Sequence, residues 1–444
     1  MRPPTEPNHR HLEVSSSSDI QRSEGSIPRR WLVGSAILAA SLLVSAAPAP
    51  AQGYYLAISS YGGDPTNVDN TGAFNAALTA CKQGLGGVIL FGKGVYRFES
   101  AITVDGAGCS VQGVGQRATT LQFNGSGDFL TIAEFGNTVS DLGFAGTASG
   151  FALVAGGGPG ASYGVFRDLY FDGVAGAVHV YNSSETRFEN LYIVNPTGSA
   201  AVRCDDGGVN KPVFATRMSR IAVGYGSPTP NTITDGFVVG QGCYTFALSA
   251  SSVSGGSTAA RPSGNRCIVV HAGAVFVVLD DFECDHSLYG ASFEGGNVVQ
   301  SVNGFYGSTL AGNGVTFHEG FTGNAQFTNN DIRGNFQHGV LLNGGTDVVF
   351  TGGVIGNNSQ ATSGGFNGFA VGANVSRFTI TGIRSGAIKQ DSLPAIASQG
   401  YGICVNAGNS DDYVIANNNL VGNVIGGLGD GGTGTNKMVV NNLQ

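Results

Sequence analysis

The sequence predicts an all-β fold, a right-handed parallel β-helix. Three observations predict it: dense glycine punctuation, almost no helical period, and one short strand pattern that recurs at close to 22 residues. Glycine supplies 72 of 444 residues, while Asp, Glu, Lys and Arg together supply 12 %, about half the usual charged share of ~25 %. With 41 % apolar residues, 26 Phe, 14 Tyr and no long charge-rich tract, the chain has enough apolar surface to fold and is not disordered. The stretch GGVILFGKGVYRFESAITV (86–104) sets the grammar, with alternating apolar and polar residues between glycine turns.

The first fifty-one residues do not share that grammar. A polar, Ser-rich stretch leads to Arg29 and Arg30, then to an apolar run from Trp31 to Ala47 and the small residues of Ala49-Pro50-Ala51. This pattern predicts a secretory signal and polar leader over 1–51, cleaved after Ala51, with the β-helix domain over 52–444. The run is shorter than the ~20 residues of a spanning helix, so no stable membrane insertion is expected once the signal is removed. The arginine pair also fits a twin-arginine signal, and ordinary Sec export fits equally. Either route makes the protein secreted or periplasmic.

The leader contains five of the 22 basic and four of the 30 acidic residues, which leaves the exported part a net charge of −9. That balance argues against nucleic acid as a partner. All seven cysteines (81, 109, 204, 243, 267, 284, 404) lie in the exported part, where disulfides persist. No Cys-x-x-Cys pair occurs, so no zinc or redox site is expected. Cys81 with Cys109 is the first candidate bridge, buried free thiols being the alternative.

The repeat is read by aligning one apolar anchor within a polar frame. It appears as DLGF (141–144), DLYF (168–171), NLYI (190–193), RIAV (220–223), DFEC (281–284), GFYG (304–307), DIRG (331–334), GVIG (353–356), GIRS (382–385) and NLVG (419–422), with a weaker SVSG (252–255). Leu169 to Leu191 and Ile332 to Val354 span 22 residues, Phe282 to Phe305 spans 23, and Ile383 to Leu420 spans 37. Stacked coils require such a period with variable insertions, because strands stay in register while loops lengthen. A second strand follows in most units, as in GAVHVYN, GASFEGG, GVTFHEG and GVLLNGG, each closing on Gly or Asn at a left-handed corner. A barrel or propeller would instead use tight hairpins.

The segment SSYGGDPTNVDNTGAFNAALTACKQGLGGVILFGKGVYRF (59–98) resembles the N-terminal signature of the pectate lyase-like β-helix superfamily, in its rhamnogalacturonase and epimerase branch. A Tyr-Gly turn, an Asn-Thr helix start, an Ala-rich helix, a Gly-Gly strand and a Gly-x-Tyr turn follow in that order. FGKG (91–94) stands where that group has Pro-x-Gly. The resemblance implies the fold and does not single out a reaction. The residues agree with it: Asn70 or Thr71 caps a helix over 72–82, and Phe74, Ala77, Leu78 and Cys81 share the face that plugs the first coil.

In this alignment, residues flanking the anchor point outward and form ladders one strand apart. The column before the anchor contains Asp281 and Asp331, and the column after it contains Tyr170, Tyr192, Glu283, Tyr306, Arg333 and Arg384. Aromatic rings pack on sugar faces, and carboxylates and guanidinium groups bind hydroxyls or uronates. Asp281, Glu283, Asp331, Arg333 and Tyr306 are therefore the expected catalytic set, and Tyr170, Tyr192, Arg384 and His338 the expected substrate contacts. Asp281 and Asp331, two coils or ~9.6 Å apart, suit an inverting acid and base pair. Asp141 and Asp168 in the same column read as turn residues.

His338 in NFQHGV resembles the Gly-His-Gly of polygalacturonases and Asp280-Asp281 their Asp pair, with Gln337 replacing the first Gly and no Asn-Thr-Asp one coil before Asp280. His179, His271, His286 and His318 read as turn or surface histidines. Two functions follow. One is an exported hydrolase, lyase or epimerase acting on a polymeric glycan along the outer face. The other is a non-catalytic glycan-binding or adhesin-like β-helix. Hydrolysis needs no cofactor and no metal site is assigned. Elimination would need Tyr306 or Arg333 as base, and Arg384 or a divalent cation on the uronate. Oligomeric state is not encoded in these patterns.

Overall fold

The computed structural model describes residues 54–158, 160–225, 235–255, 265–389 and 396–444; the expected export signal lies outside them. Their strands form two sheets, one of 21 strands and one of 13, and every pairing is parallel. The 13-strand sheet runs in strict chain order from Ile102–Val104 to Gly426–Gly432, one strand per coil. No helix among the described residues is long and apolar enough to cross a membrane.

The large sheet is creased along one column. Asp141, Asp168, Asn190, Arg220, Ala250, Asp281, Asn303, Asn329, Gly352, Gly382, Asn417 and Asn441 occupy it, all with φ between 45° and 67°. This left-handed conformation is costly for most side chains and easiest for Gly, Asn and Asp, which explains the composition of the column. Neighbouring corner side chains also bond each other. Asn190 Nδ2 donates to Asp168 Oδ1 at 2.6 Å, and Asn329 Nδ2 to Asn303 Oδ1 at 2.9 Å.

Inside the coils, side chains of one column stack on their counterparts one strand away. Phe144 and Phe171, Phe293 and Phe317, and Phe327 and Phe350 have ring centroids 4.8–4.9 Å apart, close to the strand spacing of ~4.8 Å. Leu142, Leu169, Leu191 and Ile221 align as the expected anchors, all buried. A helix spans Thr71–Gln83 and turns Phe74, Ala77, Leu78 and Cys81 into the interior. Neither Asn70 nor Thr71 provides its side-chain cap. Asp69 does, accepting from the Thr71 backbone N–H at 2.9 Å and its hydroxyl at 2.5 Å, while Asn70 is buried and donates to the Arg97 carbonyl.

Cys81 is bonded to Cys109, Cys204 to Cys243 and Cys267 to Cys284. Cys404 is the remaining thiol, half-buried, and burial pushes it up.

Past Phe282 the register departs from the expected alignment. Glu283 pairs with Phe305, Phe305 with Asp331, Asp331 with Val354 and Val354 with Arg384. Cys284, Tyr306, Ile332, Ile355 and Ser385 form the inward column beside them. GFYG and GVIG were therefore offset by one residue and DIRG by two. Because side chains alternate, an offset of one exchanges inside for outside, and an offset of two does not. Phe305 and Val354 consequently face out, Tyr306 faces in, and Ile332 stays in the core.

Candidate functional site

The outer ladder of the large sheet reads Tyr170, Tyr192, Ala222, Ser252, Glu283, Phe305, Asp331, Val354, Arg384. It holds five of the nine expected residues; Tyr306, Asp281, Arg333 and His338 lie elsewhere, Arg333 in the neighbouring column between Gly307 and Gly356. Tyr306 is fully buried. Its hydroxyl shares a 2.8 Å hydrogen bond with Ser301 Oγ, which donates to Asn330 Oδ1 at 2.8 Å, and burial raises its pKa well above the ordinary range. It cannot act as a surface base. Asp281 belongs to the corner column, opposite Asn329 two coils on, so Asp281 and Asp331 do not share a ladder. The carboxylate that does face Asp331 across Phe305 is Glu283.

Both carboxyls are raised. For Glu283 the causes are crowding by protein, then Asp285 and Asp281; for Asp331 burial outweighs the opposing Arg333. Asp331 Oδ2 lies 2.6 Å from Arg333, whose guanidinium also covers Phe305 at 5.5 Å. Gly307 leaves room for that ring, since a Cβ there would meet Phe305 Cζ at 2.4 Å. Tyr170 and Tyr192 stack outward with centroids 6.3 Å apart and planes 18° apart. Arg384 is exposed, and its guanidinium donates to the Ala387 carbonyl at 3.2 Å. His338 is not on this ladder. Its Nδ1 accepts the Asn367 N–H at 2.9 Å, its ring meets the edge of Phe366, and burial pushes its pKa down to about 4.

A second arrangement lies on the 13-strand sheet, where Arg266, Tyr289, Ser292, Glu294, Thr316 and His318 line a cavity of about 320 Å³, with Asn313, Gln337 and Asn343 at its side. Adjacent strands position them: Arg266 pairs with Tyr289, and Ser292 with Thr316. Glu294 and His318 follow two residues on, where each strand ends. Arg266 grips Asp235 through both carboxylate oxygens, at 3.0 and 2.7 Å, and also holds Glu294. The hydrogen bonds to Asp235 keep the guanidinium firmly charged. His271 Nδ1 lies 3.0 Å from the other Glu294 oxygen, and His318 Nε2 lies 3.0 Å from Ser292 Oγ.

His271 and His318 are accessible strand-end histidines, as their reading as turn or surface residues expects; what the sequence alone does not show is that they meet Glu294 and Ser292 here. The signal was present in GASFEGG, GVTFHEG and GVLLNGG, where Glu294, His318 and Asn343 take the same position after the strand. Four and three coils before Glu294 on the same sheet, His179 Nε2 meets Asp205 Oδ1 at 2.8 Å. Burial alone would raise the Asp205 carboxyl, but His179, the Gly207 N–H and Arg203 together hold it low. Among the described residues no group of three or more His, Cys, Asp or Glu is placed to hold a metal ion.

No family model and no curated protein matches the chain. Solved structures do. The A-module of the Azotobacter vinelandii mannuronan C-5 epimerase AlgE4 superposes with a TM-score of 0.58 at 16 % identity, covering 87 % of this chain and 100 % of that one. The Dettilon tailspike protein gives 0.56 at 10 % identity, over 84 % of this chain and 68 % of its own. Bacteriophage CBA120 tailspike protein 3 gives 0.54 at 13 %, over 87 % and 61 %. At such identities the likeness is one of fold, and with the creased large sheet and stacked coils it gives this chain a pectate lyase-like parallel β-helix fold.

Proposed function

We propose that the protein is an exported enzyme acting on a polymeric glycan, with its catalytic groups in the Arg266–His318 cavity. The observation that carries this reading is the convergence of His318, Ser292, Tyr289 and the Arg266-held Glu294 on one hollow. A concave site with a few converging polar groups is the ordinary form of a small-molecule subsite. One strand-end histidine, a phenol and a single fixed carboxylate among the described lining residues suit proton transfer better than two-carboxylate hydrolysis.

His318 would take the proton beside a uronate carboxylate, and Tyr289 would supply one. If the neighbouring C–O bond then breaks and its oxygen takes the proton, the reaction is an elimination; if the proton returns to the opposite face, it is an epimerisation. Asn343 and Gln337 offer amide donors to the sugar. A neighbour named as a mannuronan C-5 epimerase is in keeping with this reading.

Hydrolysis on the outer ladder is the second reading, favoured by the raised carboxyls of Glu283 and Asp331 two strands apart in one column. Export rests on the leader, and we further propose that the helix Thr71–Gln83 closes the first coil, sparing an open sheet edge. The test incubates the secreted protein with mannuronan, polygalacturonate, xylan and α-1,3-glucan. Ultraviolet absorbance reports unsaturated uronate ends, reducing-sugar release reports hydrolysis, and proton NMR reports a changed epimer ratio. Binding with none of these products would establish the non-catalytic alternative.

A further inference from the structure

Four arginines gather at the crease in three consecutive coils of an otherwise acidic protein: Arg167, Arg187, Arg217 and Arg220. Arg187 and Arg217 are direct partners in adjacent strands, so their side chains leave the sheet ~4.8 Å apart. Arg217 has Glu185 at 3.6 Å, and Arg220 has Glu189 at 4.0 Å. Arg187 and Arg167 have no carboxylate within ion-pair distance among the described residues. In the next strand Ala247 follows Arg217 and Ser249 follows Ser219. The surface therefore steps down beside the guanidinium groups, leaving a hollow of about 300 Å³ lined by Arg187, Glu189, Arg217, Ser219, Ala247 and Ser249.

On the other side of the crease stand the stacked Tyr170 and Tyr192. Tyr192 is 49 % exposed, and Arg117 lies 4.6 Å over Tyr170.

We propose that this patch is a second glycan site, separate from the cavity, that binds the carboxylate or sulfate groups of an acidic polysaccharide. Two like charges one strand apart repel, and an anion bridging both guanidinium groups converts that cost into paired, charge-assisted hydrogen bonds. The hollow gives the anion a seat beside Arg187 and Arg217. Across the crease the exposed face of Tyr192 takes a sugar ring of the same chain. A neutral polymer would leave Arg187 unused. The site rests on the glycan reading only for the identity of its polymer, and it supplies retention of a long chain rather than chemistry.

The test is native affinity electrophoresis of the secreted protein through gels containing mannuronan, polygalacturonate, dextran or DNA. The wild type is retarded by mannuronan or polygalacturonate, less so at higher salt, and not by dextran. Arg187→Gln with Arg217→Gln weakens that retardation by at least ~10-fold, the effect of losing one charged hydrogen bond. Tyr192→Ala weakens it as well. The proposal is overturned if the arginine variant is retarded like the wild type, if the wild type runs freely in both acidic gels, or if DNA retards it as strongly. Products formed by a freely migrating protein would sink this site and spare the enzyme reading. Retardation without products from any polymer would do the reverse.

Discussion

Replacing His338 by Asn should flatten the acid side of the stability profile. Nδ1 of His338 accepts the Asn367 N–H at 2.9 Å, and burial pushes the imidazole pKa from 6.5 down to about 4. The unfolded chain takes up this proton near the ordinary value, whereas the folded chain refuses it until about pH 4. Between those values the unfolded state binds more protons, so stability rises with pH. The contribution is complete above about 6.5 and lost as pH falls through about 4. At ~1.4 kcal/mol per decade, the difference is about 3 kcal/mol. Asn retains an acceptor oxygen near the position of Nδ1 but does not titrate. Urea unfolding of both proteins at about pH 7.5 and about pH 3.5 removes the shared carboxylate effects by difference. The wild type should lose about 3 kcal/mol more than the variant. Curves that stay parallel within ~0.5 kcal/mol would refute the reasoning and show that the folded protein protonates His338 as readily as the unfolded chain.

Other outcomes follow from the packing. Leu191→Ala, in the buried anchor column, should cost ~2–5 kcal/mol in the same urea assay through the cavity it leaves. Tyr306→Phe should lower stability by ~1–2 kcal/mol, because Ser301 loses a buried partner, while turnover is unchanged; a large loss of turnover would return Tyr306 to the catalytic set. Thiol titration of the purified, unfolded protein should find one free group, Cys404, before reduction. Replacing both Cys204 and Cys243 by Ser, which opens a loop of 39 residues, should cost about 4 kcal/mol.

What the sequence made legible was whatever repeats with a fixed chemistry. Leu169 and Leu191 lie in adjacent coils in register because a single apolar residue after an Asp or Asn corner leaves no second choice of anchor. Tyr170 and Tyr192 followed automatically. GFYG offered two aromatic residues in succession, and composition alone does not say which one faces in. The choice is made by the corner, which sits at Asn303 rather than Gly304, and by Ser301, which gives the buried Tyr306 hydroxyl a partner. Placing the next corner at Asp331 rather than Asn329 carried Asp331 into the wrong column and left Glu283, its true ladder partner, aligned with Arg333 instead.

The cavity was hidden for a different reason. Arg266, Glu294 and His318 are 28 and 24 residues apart along the chain, and only exact stacking of three coils makes them neighbours. Each taken singly is an ordinary strand-end residue.

The claim that the cavity is the catalytic centre is tested most directly by turnover on whichever polymer the wild type converts, comparing His318→Ala with the double variant Glu283→Gln and Asp331→Asn. The account predicts that His318→Ala lowers turnover by at least ~10²-fold, the usual contribution of a general acid or base, while the double variant stays within ~3-fold of the wild type. Full activity in His318→Ala together with an inactive double variant would contradict it and place the chemistry on the outer ladder.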